Sequence, residues 1–177
     1  MLNIEDSLVL CIDIQEKLVG ALEKDIIVGN ARKVFEAANI LQIPILLTEQ
    51  YPKGLGATVE PLKALSSTEA FEKTYFNVLL ESDFIEKLKS FKRRQIVVMG
   101  IETHICVYQT VCALLELGYE VFVIKDACAS RKKYEFKQGI ELMRDNGAKI
   151  SCVEIVLFEW LKGAKHPNFK DVQALIK

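Results

Sequence analysis

A chain of 177 residues, half of them hydrophobic and 27% charged, has enough apolar material for a full core and is not a disordered polymer. Its 23 basic and 24 acidic residues leave a net charge of −1, so no basic field is available to hold nucleic acid or an anionic membrane surface. No apolar run is long enough to span a bilayer, and the opening Met-Leu-Asn-Ile-Glu-Asp-Ser is acidic where a secretion signal would be basic. Five cysteines, at 11, 106, 112, 128 and 152, are odd in number and dispersed, which predicts reduced thiols and a cytoplasmic location.

In chain order, Ser7 to Ile14 reads as a buried strand that reaches a carboxylate, Asp13, at its end. An acid is costly in an apolar run unless it is paired, wet or capping the next segment. Gln15, Glu16 and Lys17 lead into a connector. Asn30 to Leu41 carries Ala31, Val34, Phe35, Ala38 and Leu41 at helical spacing. Pro44 to Leu47 is a second strand, since proline is tolerated at a strand's first residue. The loop Thr48-Glu49-Gln50-Tyr51-Pro52-Lys53-Gly54-Leu55-Gly56 leaves the sheet end that Asp13 occupies, where substrate contacts concentrate. Its glycines make no dinucleotide fingerprint, because a third glycine is missing. Pro61 to Leu65 reads as a short helix.

Phe71 to Asn77 mixes aromatics with one lysine, Lys73, which on composition alone is a solvated surface group. Asp83 to Leu88 is a short amphipathic helix. After Arg93 and Arg94 comes the apolar run Ile96-Val97-Val98-Met99, which reads as a strand buried on both faces and ended by Gly100. Thr103 can cap the following helix, whose apolar positions are Ile105, Tyr108, Val111, Cys112 and Leu115. Cys106 therefore falls in a first helical turn just beyond a buried strand. Unpaired N–H groups and positive potential there favour a thiolate, although a small buried core residue is the plainer reading. Gly118 ends that helix. A strand over Tyr119–Ile124, a helix over Tyr134–Arg144 stopped by Asn146-Gly147, a strand over Ala148–Val153 and a helical segment through Trp160 follow. Asn168 to Ile176 reads as a final helix that covers an edge or meets a partner. Strand and helix alternate throughout. The fold class is therefore α/β, a doubly wound parallel sheet with helices on both faces, in one domain over 1–177.

Asp13, Lys73 and Cys106 can thus converge on one sheet edge. The segments around them are Cys-Ile-Asp-Ile-Gln, Glu-Lys-Thr-Tyr-Phe and Gly-Ile-Glu-Thr-His-Ile-Cys-Val, with Lys125-Asp126-Ala127 through Ser130-Arg131 beyond. In these segments and their order the chain resembles the isochorismatase-like cysteine hydrolase family over nearly its whole length. The loop from Thr48 to Gly56 looks most like the subgroup of isochorismatase domain-containing proteins. The resemblance implies about six strands in the order 3-2-1-4-5-6 and a catalytic triad of Asp13, Lys73 and Cys106. It also implies a cis peptide between Ile101 and Glu102, and an oxyanion hole from the backbone N–H groups of Glu102 and Cys106. In that chemistry Lys73 and the helix terminus hold a Cys106 thiolate, Asp13 moves the proton, and a C–N bond of a small amide or ureido substrate is cleaved through a thioester.

The chain departs from family nicotinamidases, which hold a metal with an Asp and His cluster after the second strand. Here that place reads Glu49-Gln50-Tyr51, so no metal and no cofactor are expected. Isochorismate as a substrate is disfavoured, because family enzymes of that specificity do not keep the cysteine. His104 lies two residues from Cys106, about 160° away on a helix, which suits a capping or interface role. His166 reads as solvated. Gln15, Gln50, Tyr51 and Phe76 are candidate substrate contacts by loop position, and the other four cysteines read as packing. A catalytically silent oligomeric binding or scaffold protein of the same fold is the alternative. A thiol redox enzyme is disfavoured, because no Cys-x-x-Cys pair occurs. The hydrophobic content predicts a homo-oligomer.

Overall fold

The computed structural model describes residues 1–20, 22 and 24–177, with backbone alone at Lys24 and Asp25; the connector expected after Lys17 lies partly outside them. The strands are β1 (Ser7–Ile12), β2 (Ile45–Gln50), β3 (Phe71–Lys73), β4 (Gln95–Ile101), β5 (Glu120–Ala129) and β6 (Lys149–Ser151). They form one sheet of order β3-β2-β1-β4-β5-β6, and every pairing is parallel. The two central strands, β1 and β4, are buried at every residue, which is why they read as unbroken hydrophobic runs.

The helices are α1 (Glu16–Val19), α2 (Lys24–Ile40), α3 (Pro52–Leu55), α4 (Glu60–Lys63), α5 (Ser82–Ser90), α6 (Tyr108–Glu116), α7 (Lys133–Asp145), α8 (Val153–Leu161) and α9 (Phe169–Ala174). The chain steps outward from β1 to β3, then crosses to β4 and steps the other way. With right-handed crossovers throughout, that reversal puts the connecting helices on opposite faces. One layer packs α2 with α4, α8 and α9; the other packs α6 against α7. The reversal leaves a crevice beyond the ends of β1 and β4, the place where open α/β sheets bind ligands.

Several elements differ from the sequence reading. α2 starts at Lys24 rather than Asn30, because Ile27 extends the buried stripe of Ala31, Val34, Phe35 and Ala38 by one more turn. β3 had no strand signal; it exists through its pairing with β2, with Phe71, Glu72 and Lys73 opposite Thr48, Glu49 and Gln50. Gly100 does not end β4. It sits inside the strand at φ 145°, where a Cβ would lie 2.1 Å from the Ile12 carbonyl oxygen, so only glycine lets the two strands approach. A register shift between Val98 and Gly100 then lets β4 pair on to Cys128 and Ala129, which carries β5 five residues past the predicted end at Ile124. β6 is shorter than predicted because Val153 already belongs to α8, its N–H bound to Asp126 Oδ1 at 3.0 Å. The tail helix α9 packs on α2 and covers no sheet edge through that contact. Gly118, at φ 83°, stops α6. Among the described residues, no helix is long and apolar enough to cross a membrane.

Candidate active site

Asp13 follows β1 directly, at φ 53°, a left-handed conformation that aspartate tolerates better than most residues. The turn aims its carboxylate across the sheet end instead of onto a helix N-terminus. Both oxygens are engaged: Thr48 Oγ1 donates to Oδ1 at 2.6 Å, and Lys73 Nζ donates to Oδ2 at 2.7 Å. Lys73 is not a surface group. The short strand β3 turns it inward, and its side chain, like that of Asp13, is fully shielded from solvent. Its ammonium also meets Gln50 Oε1 at 2.6 Å, with the carbonyls of Tyr75 and Phe76 at 3.2 and 3.4 Å. Three N–H bonds thus face four acceptors, so the ammonium is committed to holding the carboxylate and the local backbone.

Cys106 comes from the other side of the crevice. Thr103–Val107 is a π-helical turn that precedes α6, and such turns frequently mark functional sites. The Glu102 carbonyl accepts the N–H groups of Ile105 and Val107 at 3.1 and 3.2 Å; the Cys106 N–H between them is not among its donors. Thr103 lies inside this turn and is not its cap. Its hydroxyl is buried and has no partner among the described residues. The peptide bond between Ile101 and Glu102 is cis.

Asp13 and Lys73 both neighbour the Cys106 thiol, which is 7% exposed at the floor of a cleft of about 270 Å³. Leu18, Leu55, Phe76 and Ile105 supply apolar wall, and Lys17, Glu102 and Arg131 are the other charged groups lining it besides Asp13. Burial pushes the thiol up to about 12; the Asp13 charge adds to the rise, and Lys73 only partly opposes it. Burial and the Asp13 charge thus oppose the expected thiolate, Lys73 favours it, and the carboxylate beside the thiol is placed to receive its proton.

The candidate substrate contacts divide. Phe76 and Gln50 line the cleft, but the Gln50 amide is spent, with Oε1 on Lys73 and Nε2 donating to the Thr74 carbonyl at 2.8 Å. Gln15 does not line the cleft. It is fully buried, donates through Nε2 to the carbonyls of Gln50 (3.1 Å) and Gly56 (2.7 Å), and accepts the Gln50 N–H at 2.7 Å. It therefore pins the loop that starts at Gln50. Tyr51, exposed and at φ 38°, borders a neighbouring hollow with Thr74 and Glu81 instead of the cleft.

His104 faces away from the thiol. Its Nδ1 lies 3.0 Å from Ser130 Oγ, and Glu102 and Glu135 carboxylate oxygens lie 3.5 and 3.6 Å from its ring nitrogens. Glu102, His104 and Glu135 could together offer ligand atoms to a metal, but Arg131 Nε already occupies Glu102 Oε1 at 2.6 Å and opposes a second cation there. His166 is half-buried and accepts the Asn168 N–H at the start of α9. The sequence reading missed Thr48 and the walls formed by Glu102 and Arg131. The signal for Thr48 was its place two residues before Gln50, on the same face of β2.

An all-parallel α/β sheet with a thiol, a carboxylate and an ammonium at its switch point defines the class. The isochorismatase domain matches residues 7–155, and the chain belongs to the isochorismatase family. It is 37% identical to isochorismatase family protein 1A of Dictyostelium discoideum over 96% of this chain and 85% of that one. It is 42% identical to isochorismatase domain-containing protein 2 of Xenopus laevis over 85% and 73%. Among solved structures, the MAR1 ribonuclease of Caenorhabditis elegans superposes with a TM-score of 0.93 at 36% identity, covering 99% of this chain and 91% of that one.

Proposed function

We propose that the protein is a cysteine hydrolase that cleaves the C–N bond of a small amide or ureido compound through a thioester, with Asp13, Lys73 and Cys106 as its catalytic residues and no metal in the reaction. The observation that carries this reading is the buried thiol beside a buried carboxylate that is already ion-paired. As the sulfur attacks the carbonyl carbon, the S–H bond breaks and its proton passes to Asp13. The carbonyl electron pair moves onto oxygen, where the Glu102 and Cys106 N–H groups would receive it; one such donor contributes about 3 kcal/mol. Collapse breaks the C–N bond, and Asp13 returns the proton to the leaving nitrogen. Water then attacks the thioester, Asp13 takes its proton, and the sulfur leaves and regains a proton as the acid departs. Lys73 offsets charge on Asp13. Because burial raises the thiol, attack and proton transfer to Asp13 occur together.

The cleft suits a small substrate, and its mix of apolar residues with Asp13, Lys17, Glu102 and Arg131 suits a planar carbonyl compound. The name of the Caenorhabditis elegans relative suggests RNA, but a chain with net charge −1 has no field to gather a polyanion.

The test is ammonia release from benzamide, nicotinamide, N-carbamoylglycine and biuret, with an RNA oligonucleotide as a separate arm. Wild type is expected to turn over at least one amide or ureide, and Cys106→Ala to lose it by three orders of magnitude or more. Equal rates in the two proteins, or cleavage of RNA alone, would overturn the reading; no turnover at all would favour the silent scaffold.

A further inference from the structure

The proton acceptor of this site is held by a residue outside the triad. We infer that Thr48 is a positioning residue: its hydroxyl fixes the plane of the Asp13 carboxylate so that the oxygen that takes the Cys106 proton faces the sulfur. This deepens the reading given above and rests on it for its catalytic consequence.

A carboxylate held at one oxygen can swing about its Cβ–Cγ bond, a broad torsion. Lys73 grips only Oδ2, and an ammonium is a point charge that does not define a plane. The second grip comes from Thr48 on Oδ1, at 2.6 Å and with both residues almost wholly buried. Water cannot substitute for it readily there. The main chain reinforces the alignment. Thr48 lies opposite Ile12 in the register of β1 and β2, and its carbonyl accepts the Asp13 N–H at 3.2 Å. One residue thus binds Asp13 through its backbone and through its side chain. The threonine hydroxyl makes the second bond as a short neutral donor, adding no charge beside Lys73. Gln50, next but one on the strand, meanwhile holds the ammonium. β2 therefore supplies one bracket for each member of the ion pair.

The test compares Thr48→Val, which keeps the shape and removes the hydroxyl, with Thr48→Ser, which keeps the hydroxyl. On whichever amide of the panel wild type hydrolyses, Thr48→Val is expected to lower kcat about 10- to 100-fold, with KM within about twofold. Thr48→Ser is expected to restore kcat to within about threefold. A crystal structure of Thr48→Val should show the carboxylate turned or split between two orientations, and that readout needs no turnover. An unchanged kcat in Thr48→Val, a Thr48→Ser variant as slow as Thr48→Val, or a carboxylate in its original single orientation would each overturn the inference. If no amide is hydrolysed by wild type, the hydrolase reading fails by itself, and the orientation of the carboxylate alone decides the placement of Asp13.

Discussion

Two ion pairs contribute residues to the cleft lining, and they differ in nearly everything but length. Lys73–Asp13 closes at 2.7 Å with neither side chain exposed; Arg131–Glu102 closes at 2.6 Å with the arginine side chain 61% exposed. Around the first, the partners are protein groups: the Thr48 hydroxyl donates to the carboxylate, and Gln50 and two carbonyls accept from the ammonium. The second is open to solvent on the arginine side, and His104 and Glu135 crowd its carboxylate partner. Distance alone therefore says little about what an ion pair does. The buried pair has lost its hydration and holds its geometry through enclosure, whereas the open pair is screened on its arginine side while its Glu102 carboxylate is only 7% exposed.

The strongest way to break this contrast is Lys73→Met. It leaves the Asp13 charge buried without its counterion and should cost about 3–5 kcal/mol in urea unfolding, with loss of turnover. A loss under 1 kcal/mol would mean that water reaches the pair. Asp13→Asn sharpens the comparison next, because it predicts opposite changes in two assays. Burial is the largest cause of the raised thiol and the Asp13 charge the second, so removing that charge lets Lys73 draw the thiol downward. In wild type, alkylation of Cys106 by iodoacetamide at pH 8 should run roughly a hundred- to a thousandfold slower than that of an unburied thiol. In Asp13→Asn it should quicken while hydrolysis disappears; slower alkylation in the variant would contradict the electrostatic account.

The same rise bears on stability. Folding favours the protonated Cys106, so that contribution is full below the ordinary thiol value near 9.0 and is lost as pH rises towards about 12. Cys11 and Cys128, raised by burial as well, act in the same direction. The smallest effect belongs to the open pair. Arg131→Ala should change stability by less than about 1 kcal/mol, with a difference that shrinks further in 0.5 M salt; a larger, salt-insensitive loss would place that pair with the buried one.

Much of this architecture was legible because a parallel sheet buries its central strands on both faces, and burial selects unbroken apolar runs such as Ile96 to Met99. The alternation of such runs with helical spacing indicated the doubly wound class, and the residues around Asp13, Lys73 and Cys106 indicated which side chains to watch. Short or irregular pieces were not legible. β3 has three residues, too few for any period, and its edge pairing with β2 creates it. The π-turn at Cys106 and the extension of β5 likewise answer to neighbours distant along the chain.

Sequence by itself determined which groups of this protein could do chemistry and the order of the elements that carry them, since residue type and hydrophobic period are local properties. Tertiary structure alone decided their state. It turned Lys73 from a surface cation into a sealed counterion, removed Gln15 and Tyr51 from the cleft, and brought Thr48 onto Asp13. It also set burial and the Asp13 charge against ionisation of the sulfur, because desolvation and the charge of a neighbour depend on enclosure in three dimensions.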